Sequence, residues 1–152
     1  MSAIESDIQF RIGELARRVG VTPRAVRYYE QLGLLPPHGR ADGAHRMYDE
    51  QDEARLREVL QVRDLLGLSL ADLGEWMAAE DARAGLRARW NADPAPGAGD
   101  REQILVEALA HLERQLALVK ARRTALEGLE DELTAKRRRM RDLLVEPEGA
   151  AS

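Results

Sequence analysis

The stretch IGELARRVGVTPRAVRYYEQLGLLPP, residues 12–37, decides the fold of this chain. Apolar residues recur at helical spacing in its first part, which predicts a helix over 12–19. Gly20 ends that helix because glycine accepts a positive φ. Thr22-Pro23 starts a second helix, running to about Gln31, since threonine is a good N-cap and proline suits the first helical position. Two short helices joined at a glycine predict a helix-turn-helix.

The sequence after this stretch predicts a β wing followed by two more helices. Asp42-Gly43 is typical of a hairpin turn, and we expect short strands near 38–41 and 45–48 on either side of it. A third helix is predicted from Asp49 or Glu50 to Leu66, ended by Gly67. A fourth is predicted from Leu70 to about Ala79. Ser69 followed by Asp72 resembles a capping box at its start.

The C-terminal half predicts a connecting segment and then a long helix with a coiled-coil seam. The helical pattern weakens over residues 80–99, with a short helical piece expected at most over 83–90, and residues 91–100 have the Pro- and Gly-rich composition of a linker. Beyond them, apolar residues alternate steps of four and three, as in a coiled coil of about three heptads. These seam residues are Leu105, Leu109, Leu112, Leu116, Val119 and, after Arg123, Leu126. The phase of the pattern shifts near Gly128, which favours a bend or a second helix there.

The chain is therefore predicted to be mainly α-helical and to divide into five parts. They are a disordered lead-in (1–9), a winged helix-turn-helix domain (10–79), a connecting segment (80–99), a dimerisation helix (100–128) and a C-terminal extension and tail (129–152). The 152 residues suit one compact domain with an appended element.

Composition narrows the classes of function. The net charge is −4, yet residues 11–48 carry seven arginines and three acids, so the N-terminal part is basic. There is no cysteine, which excludes disulfides and thiolate chemistry. No segment reaches the roughly 20 apolar residues of a membrane span, and no signal peptide is apparent. We expect a cytoplasmic protein with no membrane partner. The sequence contains no catalytic constellation or cofactor motif, so we expect neither enzymatic activity nor a bound cofactor.

The second helix carries the strongest functional signal, Arg24-Ala-Val-Arg27-Tyr28-Tyr29-Glu30. Helical geometry puts Arg24, Arg27 and Tyr28 on one face. Arginine grips guanine edges or phosphates, and the N-terminal residues of a recognition helix are those that enter the major groove. The alternative is a solvated helix face with an inward tyrosine.

The residues of this helix belong to a longer stretch that resembles a known protein family. Residues 12–37 resemble the opening of MerR-family regulators, I-G-E-L-A-x-x-x-G-V-[ST]-x-x-[AT]-[IV]-R-Y-Y-E-x-x-G-L-[LI]-x-P. HRMYDEQDEARL (45–56) and LLGLSLADLGEWM (65–77) are similar to the family's wing and following helix pair. The resemblance covers residues 10–79 closely and the coiled coil only as an architecture.

The resemblance implies a winged helix-turn-helix whose dimerisation helices pair as an antiparallel coiled coil. It implies phosphate contacts from Arg46 and Tyr48 and recognition-helix roles for Arg27, Tyr28 and Tyr29, with core packing as the alternative for Tyr29. The full set of expected DNA contacts is Arg17, Arg18, Thr22, Arg24, Arg27, Tyr28, Tyr29, Arg40, His45, Arg46 and Tyr48. The wing departs from the family, which usually has Gly-Tyr-Arg where this chain has Ala44-His45-Arg46.

For each remaining candidate group, a purely structural or solvent-exposed role is an alternative to a functional one. His38 and His45 flank the wing turn, but polar wing residues are favoured over a metal pair, and no metal site is predicted. His111 is expected on the surface of the long helix. The basic cluster 136–141 is expected to be a solvated helix face, with a contact to DNA or to an acidic patch of a partner as the alternative. Because cysteine is absent, the thiolate sites of the family's metal- and redox-sensing members are not expected.

The resemblance implies a homodimer that binds an inverted-repeat promoter, distorts the DNA and acts on RNA polymerase there. A small organic effector is a further possible partner, in a pocket near Trp76, Met77 and Trp90. The alternative for these three residues is ordinary core packing. Two rival functions stay open at this point: an architectural or excisionase-like DNA-bending protein without a promoter role, and a coiled-coil adaptor that uses the helix-turn-helix to bind protein.

Overall fold

The computed structural model describes residues 8–36 and 46–145, and its first two helices form the expected helix-turn-helix. Helix α1 spans Ile12–Val19 and α2 spans Pro23–Gln31. Gly20 lies between them at φ 81°, a conformation that glycine adopts without strain. The Thr22 hydroxyl accepts a hydrogen bond from the Ala25 amide at 3.1 Å and caps α2. The sequence prediction is confirmed for both helices.

The described β-structure is one short antiparallel pair. Strand β1 (Phe10–Arg11) pairs with β2 (Met47–Tyr48), with Phe10 opposite Tyr48. The sequence predicted a strand over 45–48 but gave it a partner at 38–41 and assigned no strand to residues 10–11. The wing turn and the 38–41 strand lie outside the described residues, as do residues 1–7 of the predicted lead-in and the tail from 146 on.

Helix α3 (Glu50–Leu66) and helix α4 (Leu70–Trp90) build the core beneath α1 and α2. A reciprocal capping box opens α3: the Asp52 amide donates to the Asp49 side chain at 3.0 Å, and the Asp49 amide donates to Asp52 at 2.9 Å. At the start of α4 the described contacts give only half of the predicted box, the Ser69 hydroxyl accepting from the Asp72 amide at 3.1 Å. One cluster of buried side chains joins these elements: Leu15, Val26, Tyr29, Leu35, Tyr48, Leu56, Val59, Leu73 and Met77.

Two helix ends differ from the prediction. Helix α4 continues past Ala79 to Trp90, and helix α5 runs from Ala98 to Val145 without a break at Gly128. The extension of α4 is stabilised by packing, since α5 runs back along it and Leu86 is buried there. Gly128 does not interrupt α5 because one glycine costs a helix only about 1 kcal/mol and no proline lies within the helix.

Contacts between α4 and α5 show that the two helices are antiparallel. Gln115 donates to the Glu80 carboxylate at 2.7 Å and to the Trp76 carbonyl at 3.4 Å, while Arg89 lies 3.7 Å from Glu107 farther along the hairpin. Among the helices in the described ranges, none combines the length and apolar character needed to span a bilayer.

Candidate nucleic-acid interface

Helix α2 presents two faces of opposite character. Val26 and Tyr29 are buried in the core, whereas Arg24, Arg27 and Tyr28 are exposed, Tyr28 by 45%. Within residues 8–36 and 46–145, Arg24 and Arg27 make no hydrogen bond or ion pair. Their guanidinium groups are therefore free to bind an external acceptor, as the sequence predicted for this face.

The carboxylate of Glu30 ties the wing strand to α2. It accepts a hydrogen bond from Arg46 Nη1 at 2.8 Å and another from the Tyr48 hydroxyl. The pKa of Tyr48 is raised, first by burial and then by the hydrogen bond to Glu30, so the hydroxyl keeps its proton. Glu30 thereby fixes Arg46 beside the recognition helix. Arg11, Arg27 and Arg46 line one concave surface around this carboxylate.

The structure reassigns two of the predicted DNA contacts. Tyr29 is 5% exposed and Tyr48 is 3% exposed, which puts both rings in the core rather than on the surface. The Tyr29 hydroxyl accepts a hydrogen bond from Arg63, and the Tyr48 hydroxyl donates one to Glu30. Both hydroxyls therefore have partners within the chain. The Tyr29 hydroxyl joins α2 to α3, and the Tyr48 hydroxyl joins the strand β2 to α2.

Arg18 belongs to an internal network. Its guanidinium stacks over the Phe10 ring at 4.4 Å and pairs with Glu14 and Glu53, each at 3.2 Å. Hydrogen bonds from Arg57 first, and also from Arg18, lower the pKa of Glu53. The network holds α1 against α3. Its neighbour Arg17 is exposed and pairs only with Glu14, at 3.3 Å, among the described residues.

Of the other predicted contacts, Thr22 is exposed with its hydroxyl used as the helix cap. Arg40 and His45 lie outside the described residues, and so does His38. Nothing in the described ranges groups three or more His, Asp or Glu side chains in a way that could hold a metal ion.

Sequence reasoning missed two positioning residues. Glu30 was noted only as part of the motif, although an acidic residue beside exposed arginines was a signal that it has a partner. Arg55 joins three elements: it donates to the Leu34 carbonyl at 3.0 Å and binds both carboxylate oxygens of Asp81 at 2.6 and 2.8 Å. The bidentate pair links α3 to α4, and the bond to Leu34 joins the segment after α2 to both helices.

Comparison with known proteins places this geometry in a family. The model described as MerR HTH family regulatory protein matches residues 10–80. The chain is 33% identical over 118 residues to the Heavy metal-dependent transcription regulator 2 of Rhizobium meliloti (strain 1021), covering 78% of this chain and 72% of that protein. The chain belongs to the MerR family.

Other MerR-family relatives are similar over a shorter range. The HTH-type transcriptional regulator YfmP of Bacillus subtilis (strain 168) is 40% identical over 67 residues, which are 44% of this chain and 48% of YfmP. The chain thus spans about half the length of that relative. A crystal structure described as HiNmlR, a MerR family regulator lacking the sensor domain, bound to promoter DNA, has a TM-score of 0.55 at 21% identity. It covers 91% of this chain and 95% of that chain, and shares the fold.

The long helix α5 of this MerR-family chain has one face that packs on α4 and another that is exposed and apolar. Ile104 and Gln115 are buried on the side that packs on α4. The six seam residues predicted from the sequence, Leu105, Leu109, Leu112, Leu116, Val119 and Leu126, are exposed on another side. The described chain therefore leaves the whole predicted seam available to a partner.

The structure does not bring the three predicted effector-pocket residues together. Met77 is buried in the core, and Trp90 lies 14 residues beyond Trp76 on the same helix, roughly 21 Å away. Trp76 lines a pocket of about 240 Å³ between α4 and α5, together with His111, Arg114 and Leu118. His111 was expected on the surface, but its Nδ1 is buried here and has no hydrogen-bond partner in the described chain.

Proposed function

We propose that the chain is a cytoplasmic, homodimeric transcription regulator that binds promoter DNA through α2 and the wing. The observation that carries this is the pair of guanidinium groups of Arg24 and Arg27, which have no partner among the described residues and lie on the exposed face of a helix whose other face is buried in the core. In a helix-turn-helix the second helix enters the major groove. Arg46, anchored by Glu30, is placed to hold the phosphate backbone.

The dimer is proposed from the exposed seam on α5. An apolar stripe at heptad spacing buries itself against a second helix, and two subunits then present two recognition helices to an inverted repeat. Distortion of the promoter and action on RNA polymerase belong to the same proposal. They are supported by membership of the MerR family and by the neighbour's description as bound to promoter DNA.

Arginine variants test the assignment of roles. We would measure fluorescence anisotropy on a selected duplex and on copies with single base-pair changes, at several salt concentrations. Loss of a base-reading arginine, Arg24→Ala or Arg27→Ala, is expected to cost about 1–3 kcal/mol and to relax preference at one base pair. Arg46→Ala is expected to weaken specific and non-specific duplexes alike. Arg87→Ala, at the end of α4, is the matched control and should change neither.

Three outcomes would overturn the proposal. A changed base preference in Arg46→Ala, with none in Arg24→Ala and Arg27→Ala, would reverse the assignment of the two surfaces. Absence of salt-sensitive, sequence-specific binding would favour the coiled-coil adaptor. Binding and bending that leave transcription by purified polymerase unchanged would favour the architectural protein.

For a small organic effector we propose the pocket at Trp76 in place of a site shared with Trp90. The unpartnered Nδ1 of His111 favours this pocket, because a buried polar nitrogen normally has a hydrogen-bond partner. The test is tryptophan fluorescence during titration with small neutral aromatic compounds, beginning with phenol. Trp90→Phe should keep the response and Trp76→Phe should lose it. The reverse pattern would move the site to the end of the hairpin.

A further inference from the structure

Arg11 is an exposed arginine that directly precedes α1 and is absent from the predicted set of DNA contacts. It belongs to strand β1, in which Phe10 pairs with Tyr48 and Arg11 pairs with Met47. Neighbouring side chains of a strand point to opposite faces, and Phe10 is buried in the core. Arg11 is therefore directed outward, in agreement with its exposure to solvent.

The guanidinium group of Arg11 has no acidic partner among the residues that the structure describes. The two arginines within α1 do have one. Arg17 pairs with Glu14 at 3.3 Å, and Arg18 pairs with Glu14 and with Glu53, each at 3.2 Å. A carboxylate beside an arginine offsets part of its attraction for an external anion. Arg11 thus keeps its full charge for such an anion, whereas Arg17 and Arg18 do not.

Arg11 lines the same concave surface as Arg27 of α2 and Arg46 beside strand β2, and this surface encloses about 930 Å³. The charged side chains that line it are these three arginines and Glu30, so three positive charges face one negative charge. The Glu30 side chain is only 6% exposed, and its carboxylate already accepts a hydrogen bond from Arg46 at 2.8 Å. The surface as a whole therefore favours an anion.

We propose that Arg11 binds a phosphate group of the DNA backbone on this surface. The inference rests on the proposed function and adds a contact outside the recognition helix and the wing. In a helix-turn-helix the first helix crosses the backbone while the second lies in the major groove. Arg11 is the N-cap residue of the first helix, α1, and shares its surface with Arg27 of the second. A backbone that passes along α2 therefore also passes Arg11.

A phosphate suits Arg11 better than a base edge does. The planar guanidinium group offers parallel N–H donors that match two phosphate oxygens. Base edges in the major groove are reached by side chains of the recognition helix, whereas Arg11 lies on the strand that pairs with β2. We therefore expect Arg11 to contribute affinity without contributing sequence preference.

The experiment measures DNA binding of the full chain by fluorescence anisotropy at several salt concentrations. Two duplexes are compared, one selected for tight binding and one with a scrambled sequence. Arg11→Gln removes the charge and keeps a polar side chain, and Arg11→Lys keeps the charge. Arg87→Gln, which removes an exposed cation of α4, is the matched control. Circular dichroism checks that each variant is folded.

We expect Arg11→Gln to weaken binding to both duplexes by the same factor, at least threefold at low salt. The slope of log affinity against log salt concentration should become shallower by about one. Arg11→Lys should retain the slope, and Arg87→Gln should match the wild type. The ranking of duplexes with single base-pair changes should stay the same, because a phosphate contact carries no base preference.

Neutral substitutions in the DNA backbone locate the phosphate. Duplexes are made with one methylphosphonate, which lacks the phosphate charge, at each position of one half-site in turn. At one position the wild type should lose affinity, and Arg11→Gln should lose at least threefold less because its contact is already absent.

Unchanged affinity and slope in Arg11→Gln, with a wild type that binds the selected duplex, would overturn this inference and leave the proposed function intact. A changed base preference in Arg11→Gln would also overturn it, because Arg11 would then read a base. Equal losses for the wild type and Arg11→Gln at every methylphosphonate position would count against the contact as well. Absence of salt-sensitive, sequence-specific binding by the wild type would overturn the proposed function itself.

Discussion

The bridge from Glu30 to Tyr48 and Arg46 yields the sharpest prediction about stability. The Glu30 side chain is 6% exposed, and Tyr48 is a core residue whose hydroxyl donates to it. In Glu30→Ala the buried hydroxyl loses its acceptor, at a cost of about 1–3 kcal/mol. Arg46 is half-exposed and turns to water, so its lost ion pair adds at most about 1 kcal/mol. We expect Glu30→Ala to lower the free energy of unfolding by about 1–4 kcal/mol in total.

The assay is urea unfolding followed by circular dichroism at one fixed protein concentration. Gln31→Ala, an exposed neighbour on the same helix, is the matched control and should be nearly neutral. The decisive comparison is Glu30→Ala in a Tyr48→Phe background, where no hydroxyl is left unsatisfied and the cost should fall to about 1 kcal/mol or less. An equal cost in both backgrounds would refute the role assigned to the Tyr48 hydroxyl.

Three further predictions concern pH, backbone and assembly. The pKa of Tyr48 is raised in the folded state, so its contribution to the free energy of unfolding is present below the unfolded pKa of about 10 and is lost as pH rises above it. Above that pH the free energy of unfolding of the wild type should fall more steeply than that of Tyr48→Phe. Parallel curves for the two proteins would contradict this. Gly67→Ala should lower the free energy of unfolding, measured in urea, by about 1–2 kcal/mol because Gly67 has a φ of 59°. Gly128→Ala, inside α5, should raise the free energy of unfolding by up to about 1 kcal/mol. Equal effects of the two substitutions would contradict the assigned conformations. Leu112→Glu/Leu116→Glu should sediment as a monomer, and a dimeric double variant would place the interface elsewhere.

Local chemistry explains why the helix-turn-helix was predictable from sequence. A cap, a proline and a glycine within four residues, 20–23, set the turn between α1 and α2 without help from distant contacts. The same holds for α3, which begins after Asp49 and ends at Gly67 as expected. The exposed face of Arg24 and Arg27 followed from helical periodicity alone.

Features that rest on distant contacts were not predictable. Strand β1 forms because Phe10 pairs with Tyr48, far along the chain. The extension of α4 to Trp90 depends on α5 folding back along it. The sequence of residues 80–90 does not by itself predict that packing. Trp76 and Trp90 were expected in one site because the sequence predicted α4 to end near Ala79, which left Trp90 on a separate segment; on one helix that runs to Trp90 they lie roughly 21 Å apart.

We propose that two copies of this chain read an inverted repeat through α2. Selection of binding sites from random duplex DNA with the intact protein is the direct test. We expect enrichment of one inverted repeat bound by two subunits, with the half-sites about one helical turn apart or a multiple of it. Enrichment of a single asymmetric site bound by one subunit, or no enrichment above the starting pool, would contradict it.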